Sequence, residues 1–204
     1  MAEEDTDAVD VAYGVAGGAL PIDHRFALKR EVVRRLPWLE GEPLAGIHPL
    51  RGAPTDYGVV LLPRRARLVL RLPRRRVDDA MALAGQTLDV AGVRLDVGDA
   101  SLRPLAAHGA LYADCVVMPS ASEDAFLAAV ASLLDARGIR CECVCGRRRR
   151  FTAGEREIAG FGLLLHRLDA DHSLILQWTG IGAERAMGCG LFLRHRLATP
   201  VGAA

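Results

Sequence analysis

Residues 111–145 read LYADCVVMPSASEDAFLAAVASLLDARGIRCECVC, and this stretch decides the fold. Leu111–Met118 is an apolar run of strand length. Pro119 to Glu123 supply a helix entry, with Ser120 or Ser122 as the cap. Over Ala125–Ala136 the residues Phe126, Leu127, Val130, Leu133 and Leu134 recur at helical spacing, and Gly138 closes the helix. Ile139–Cys145 then returns to strand alternation. Strand, helix and strand in this order open a ferredoxin-like unit.

The same opening occurs earlier in the chain. Val9, Val11, Tyr13 and Val15 alternate as in a strand, and Gly17-Gly18 breaks it. Pro21 to Asp23 read as a helix entry with Asp23 as N-cap. A helix over His24–Pro37 follows, with Arg25, Lys29, Arg30, Arg34 and Arg35 giving it a basic exposed side. Residues 39–56 are loop-like, with a short strand at Gly46–Leu50. Tyr57–Leu62 and Arg67–Leu72 read as a hairpin, Arg74–Ala84 as a second helix, and Gln86–Val90 with Val93–Val97 as a strand pair. After residue 145, Gly160–Leu168 and Ser173–Trp178 read as a hairpin around Asp169-Ala170-Asp171, and Gly188–Arg194 as a last strand. The second unit's own second helix is then short or missing. The expected fold is α+β: tandem ferredoxin-like (βαββαβ) halves over 1–98 and 110–204, the second degenerate, joined near 99–109.

Composition excludes several classes. The chain has 204 residues, half hydrophobic and a quarter charged, which is globular rather than disordered. No run of 18 apolar residues exists and no secretory signal is visible, so a cytoplasmic protein without membrane contact is expected. The five cysteines lack a paired C-x-x-C pattern; Cys141, Cys143 and Cys145 read as reduced strand residues, with no metal site. Net charge is only +1, but residues 1–10 hold five acids and no base. There is one lysine, Lys29, against 25 arginines. Residues 64–76 carry seven arginines and no acid, among them Arg64, Arg65, Arg74 and Arg75; Arg147, Arg148, Arg149 and Arg150 are consecutive and read as a loop. A charge run is usually a solvated surface. Two dense acid-free clusters in a near-neutral chain instead favour a polyphosphate backbone as partner.

Near the C-terminus Gly180, Gly182, Gly188 and Gly190 bracket Arg185. The pattern lacks the Gly-Lys-Ser/Thr ending of a phosphate loop, and a strand follows it rather than a helix, so both nucleotide-binding motifs fit poorly. As a bare pattern it reads as a tight turn. The histidines show no His-x-x-x-His pair, and no Gly-x-Ser-x-Gly elbow is present. A lone histidine beside arginines is most often structural. It can also cleave RNA by drawing the proton from a ribose 2′-hydroxyl while a cation stabilises the phosphorane, which leaves DNA uncut.

Pro21-Ile22-Asp23-His24, Leu36-Pro37-Trp38-Leu39, Gly46-Ile47-His48-Pro49-Leu50 and the glycine-rich segment from Gly180 to Phe192 together resemble the CRISPR repeat-processing endoribonucleases, the Cas-six family, in its small myxan-subtype branch. The resemblance runs from about residue 8 to about residue 196. It implies metal-independent cutting of the repeat transcript (pre-crRNA) without a cofactor, leaving a 2′,3′-cyclic phosphate and a 5′-hydroxyl. It also implies retention of the RNA product and joining an interference complex. The family places its catalytic histidine within or just after the first helix. His48 fits the second placement and is taken ahead of His24 at the helix start. Lys29 is a candidate for transition-state stabilisation. A family Leu-His at the helix end is replaced here by Leu39-Glu40. Gly180, Gly182, Gly188 and Gly190 carry over as close to RNA; Arg25 of the basic first helix and Arg185 between the two glycine pairs are further RNA-binding candidates. The alternative is a non-catalytic or weakly catalytic RNA-binding subunit; a structural protein without nucleic acid is disfavoured by the arginine clusters. An aromatic sheet platform is not expected, because only 5% of residues are aromatic.

Overall fold

The computed structural model describes residues 8–120 and 122–196; the acidic residues 3–7 and the ends of the expected halves at 1–7 and 197–204 lie outside them. In chain order the elements are β1 (Ala8–Gly17), β2 (Ala19–Pro21), α1 (Arg25–Arg35), a 3₁₀ turn (Pro37–Gly41), β3 (Gly46–Ile47), β4 (Ala53–Pro54), β5 (Val59–Leu61), β6 (Arg67–Pro73), a 3₁₀ turn (Arg74–Arg76), α2 (Val77–Met81), β7 (Thr87–Val90) and β8 (Val93–Pro104). The second half follows with β9 (Ala110–Val116), α3 (Glu123–Ala136), β10 (Glu142–Ala153), β11 (Arg156–His166), α4 (Ala170–Thr179), a 3₁₀ turn (Arg185–Met187) and β12 (Leu193–Arg194).

The first sheet has the order β3-β6-β1-β8-β7 and the second β10-β11-β9-β12, with every pairing antiparallel. The second order is that of a ferredoxin-like unit. The first is the same arrangement with β7 added at its edge, and β8 continues to Pro104, past the expected boundary at 98. Val9, Val11, Tyr13 and Val15 of the central strand β1 are buried, and the Tyr13 hydroxyl donates to the Ala80 carbonyl at 2.7 Å. α1 buries Leu28 and Val32, with Leu36 just beyond its end; α3 buries Phe126, Val130 and Leu134 at i, i+4 spacing. The Ser122 hydroxyl caps α3 by accepting the Ala125 N–H, and Gly138 takes φ +68 behind it.

Several expectations are corrected. The segments 57–62 and 67–72 form no hairpin. Both edges of β6 are occupied by β1 and β3, so β5 turns away and joins β2 and β4 in a separate three-stranded sheet. Ser173–Trp178 lies in helix α4, not a strand. A short apolar run does not distinguish the two states, and the Asp169 carboxylate settles it by accepting the His172 N–H as N-cap. The second half therefore has its second helix; its degeneracy is confined to the two-residue β12. Arg147–Arg150 lie in β10 rather than in a loop. β10 is an edge strand, where solvated charges are tolerated and blunt an open ladder. The helix expected at 74–84 is only Val77–Met81. His24, not Asp23, occupies the N-cap of α1; the Asp23 carboxylate instead accepts from the Thr152 N–H and hydroxyl. Cys141, Cys143 and Cys145 are half-buried against the α3 core.

Candidate functional site

The two halves meet where the N-terminus of α1 lies on the sheet face opposite α3 and α4. Phe26 of α1 packs on Phe151, Ala153 and Ile158 of the second sheet, with Cys115, Met187 and Cys189 completing this small core. Beside the joint is a cavity of about 260 Å³. Lys29, Leu39, Glu40, Glu42 and Ala45 line it from the first half, and Gly182 to Ala186 from the second. Lys29 stands one helical turn beyond Arg25, on the same side of α1. Glu40 is exposed on the 3₁₀ turn, whereas Glu42 is buried and held by Arg75 at 2.8 Å and Arg76 at 3.6 Å.

The glycine-rich segment is fixed by its own packing. Gly180, Gly182, Gly188 and Gly190 all have positive φ. A side chain at Gly182 would collide with the Val117 carbonyl, and one at Gly188 with Pro49 and, at 2.9 Å, the Ile47 carbonyl. These glycines let the segment lie against β9 and against the backbone around His48.

Arg185 is no surface residue. Its guanidinium donates to the carbonyls of Trp178 (3.0 Å), Thr179 (2.9 Å) and, across the joint, Leu44 (2.9 Å). Burial and the nearby Arg71 charge push its pKa down to about 10. Arg71, the fully buried member of the 64–76 cluster, pairs with Asp10 at 2.8 and 3.0 Å and donates to the carbonyls of Gln177 (3.2 Å) and Phe192 (2.7 Å). Arg137 donates to the Gly180 carbonyl at 3.0 Å. Three guanidiniums thus satisfy four consecutive carbonyls at the C-terminus of α4, where a helix leaves acceptors unpaired and carries partial negative charge.

Both histidine candidates are interior. The His24 ring bonds the backbone at both nitrogens: Nδ1 with the Pro21 carbonyl at 2.9 Å, and Nε2 accepting the Leu50 N–H at 3.2 Å. Its pKa is lowered, chiefly by burial. His48 is 6% exposed, and its Nε2 has no partner among the described residues. Burial first, and then the charges of Arg71, Arg51 and Arg185, hold its pKa well below the usual value, so it is neutral at pH 7. Neither lines the cavity that Lys29, Gly182 and Arg185 share.

Arg25 points into the joint. It pairs with Asp114 at 2.6 Å, lies over the Phe151 ring at 5.3 Å and reaches the Met187 and Gly188 carbonyls at 3.4 Å. Asp114 also takes Arg149 at 2.7 Å. Arg64, Arg65, Arg74, Arg75, Arg147, Arg148 and Arg150 are exposed; Arg148 lies over Phe161 at 5.8 Å and Arg150 meets Glu157 at 3.3 Å. Among the described residues no group of three or more His, Cys, Asp or Glu side chains is placed to hold a metal ion, and no helix is long and apolar enough to cross a membrane. The reading of the sequence passed over Glu40. Its signal was the Leu39-Glu40 pair, at the place where the resembled family has Leu-His.

The Cas6 family model, described as Cas6 Crispr, matches residues 9–197. The CRISPR-associated endonuclease Cas6 of Myxococcus xanthus (strain DK1622) is 37% identical over 186 residues, covering 91% of this chain and 80% of that protein. Among solved structures, a Cas6-related gene product from Pyrococcus furiosus superposes with a TM-score of 0.64 at 10% identity, covering 91% of this chain and 98% of that one. A RAMP protein described as binding different RNA substrates superposes with a TM-score of 0.62 at 11% identity, with the same coverage. At these identities the structures attest the shared tandem fold, while the family model and the Myxococcus relative carry the assignment: this chain is a member of the Cas6 family.

Proposed function

We propose that this protein is an endoribonuclease that processes CRISPR repeat transcripts, cutting them by metal-independent attack of a ribose 2′-hydroxyl at the cavity between α1 and the glycine-rich segment. The Myxococcus relative is named a CRISPR-associated endonuclease, and that activity supports the reading for this member of the family. The observation that supports the site is the meeting of Lys29 and Glu40 with Gly182 to Ala186 in one open cavity. Cleavage needs a base for the 2′-hydroxyl proton and a cation for the charge that builds on the phosphorane. Glu40 is the carboxylate free to take the proton. Lys29 is the cation of the lining with side-chain reach to spare, since Arg185 is committed to three carbonyls. The 2′-oxygen bonds to phosphorus as the bond to the 5′-oxygen breaks, and the departing 5′-oxygen takes a proton from water, leaving a 2′,3′-cyclic phosphate and a 5′-hydroxyl. His48 and His24, the candidates from the sequence, serve in this reading as neutral interior supports of the segment beneath the site.

The test is single-turnover cleavage of labelled repeat RNA at saturating protein in EDTA. Lys29→Ala and Glu40→Gln each lower the rate about 10²- to 10⁴-fold. A deoxyribose 5′ of the scissile phosphate abolishes cutting but not binding. Wild-type rates in Lys29→Ala and Glu40→Gln with a slow, stably folded His48→Ala return the base to His48. Binding without cutting by the unmodified protein supports the RNA-binding subunit instead.

A further inference from the structure

The second sheet has one face covered by α3 and α4. The opposite face is covered by the first half only at one end. At its other end the register aligns Val144, Leu164, Tyr112 and Leu193 as a single rung across all four strands. None of the four is fully buried, and Val144 is 48% exposed. An apolar rung on an open sheet face is a surface built for contact.

Tyr112 is the centre of this rung, and the sheet is shaped around it. A side chain at Gly162, on the neighbouring strand, would come within 2.7 Å of the Tyr112 hydroxyl and within 3.4 Å of the Gly146 Cα on the next strand. The ring therefore lies down over β11, in room left by two glycines at the β10–β11 bulge, rather than standing off the sheet. The His195 ring flanks it at 5.7 Å, tilted 45°. Arg149, held by Asp114, sits at the hydroxyl, and exposed Arg147 follows the bulge. Asp114 joins this face to Arg25, and Lys29 of the cavity stands one turn further along α1. A flat aromatic ring rimmed by arginines fits a nucleobase with its phosphates. An acidic protein surface would meet the arginines but have no use for the flat ring.

We propose that Tyr112, flanked by His195, is a stacking platform for an unpaired nucleobase of the bound RNA, with Arg149 and Arg147 on the adjoining phosphates. The proposal rests on the RNA-binding part of the function above, not on the cleavage chemistry. The RNA runs from the platform past Arg25 to the cavity, so the platform fixes which nucleotide reaches the cut site.

The experiment uses the full chain and repeat RNA with one deoxyribose at the scissile position, carrying 2-aminopurine at each unpaired position in turn. Binding is expected to quench one position strongly in the wild type. Tyr112→Phe keeps the quench and the affinity. Tyr112→Ala removes the quench and weakens binding roughly 5- to 150-fold, the range for loss of one stacked base. The slope of log affinity against log salt stays unchanged, because stacking releases no counterions. Unaltered circular dichroism and melting show that the fold is intact. Wild-type affinity and quench in Tyr112→Ala overturn the proposal and leave the face to a protein partner. An affinity loss accompanied by a shallower salt slope also overturns it, since Tyr112 would then act only by positioning Arg149. Because the probe RNA is uncleavable, a failure of the nuclease reading leaves this result unaffected.

Discussion

The arginines at the C-terminus of α4 and those along β10 are the same residue in opposite circumstances. Arg71, Arg185 and Arg137 meet backbone carbonyls and, for Arg71, one carboxylate; Arg71 and Arg185 knit the two halves together, while Arg137 ties α4 to α3 within the second half. Arg147 to Arg150 project from an edge strand into solvent, with Asp114 and Glu157 as their only carboxylates among the described residues. A guanidinium presents five donors in a rigid fork. Where a helix end supplies acceptors in a dry joint, the fork becomes part of the fold. Where water surrounds it, the fork stays available for phosphate. The seven-arginine stretch 64–76 divides the same way, with Arg71 buried inside it and Arg64 and Arg65 at its exposed start.

The comparison is broken most directly at Arg71. Arg71→Ala leaves Asp10 and two carbonyls unpaired in the joint, and removing one member of a buried pair costs about 3–5 kcal/mol. Urea unfolding checks this; a loss below about 1 kcal/mol would mean that the joint does not depend on this arginine.

A second measurement uses pH on the same region. The folded pKa of both His48 and His24 lies below the unfolded value of about 6.5. Below that pH the unfolded chain takes up protons that the folded chain refuses, so stability falls as pH falls. The larger share of this loss as pH falls below about 6.5 belongs to His48, the more deeply buried of the two. Stability followed over this range should decline less steeply in His48→Leu than in the wild type. Parallel curves would show that His48 is protonated in the fold.

On the exposed side the expected effect is on binding rather than folding. Replacing Arg147 and Arg148 by alanine should flatten the salt dependence of RNA affinity by about 0.7 in slope per lost phosphate contact to a single strand. Stability should change by no more than about 0.5 kcal/mol. An unchanged slope would mark the edge of β10 as plain solvated surface. The smallest effect belongs to Arg150→Ala, whose pair with Glu157 is exposed on both sides. Its stability should stay within about 0.5 kcal/mol of the wild type in a melting experiment.

Periodicity and caps in the sequence determined much of this protein. The β1–α1 and β9–α3–β10 openings, a serine cap at 120 or 122, the Gly138 stop and the repetition of the unit are local patterns, and local patterns are what a sequence displays. The resemblance of the 21–50 and 180–192 segments carried the family. Tertiary structure alone decided the rest. Whether 173–178 became strand or helix, and whether β5 paired with β6, depended on which edges and faces were already occupied. Whether an arginine bound backbone or water depended on a helix end folded against it from more than a hundred residues away. The packing of distant segments encloses His24 and His48, and Glu40 gained its surroundings only when the halves came together, whereas the neighbours of Tyr112 belong to its own half. Desolvation and long-range pairing depend on neighbours that no local window contains, and in this chain they decide the site.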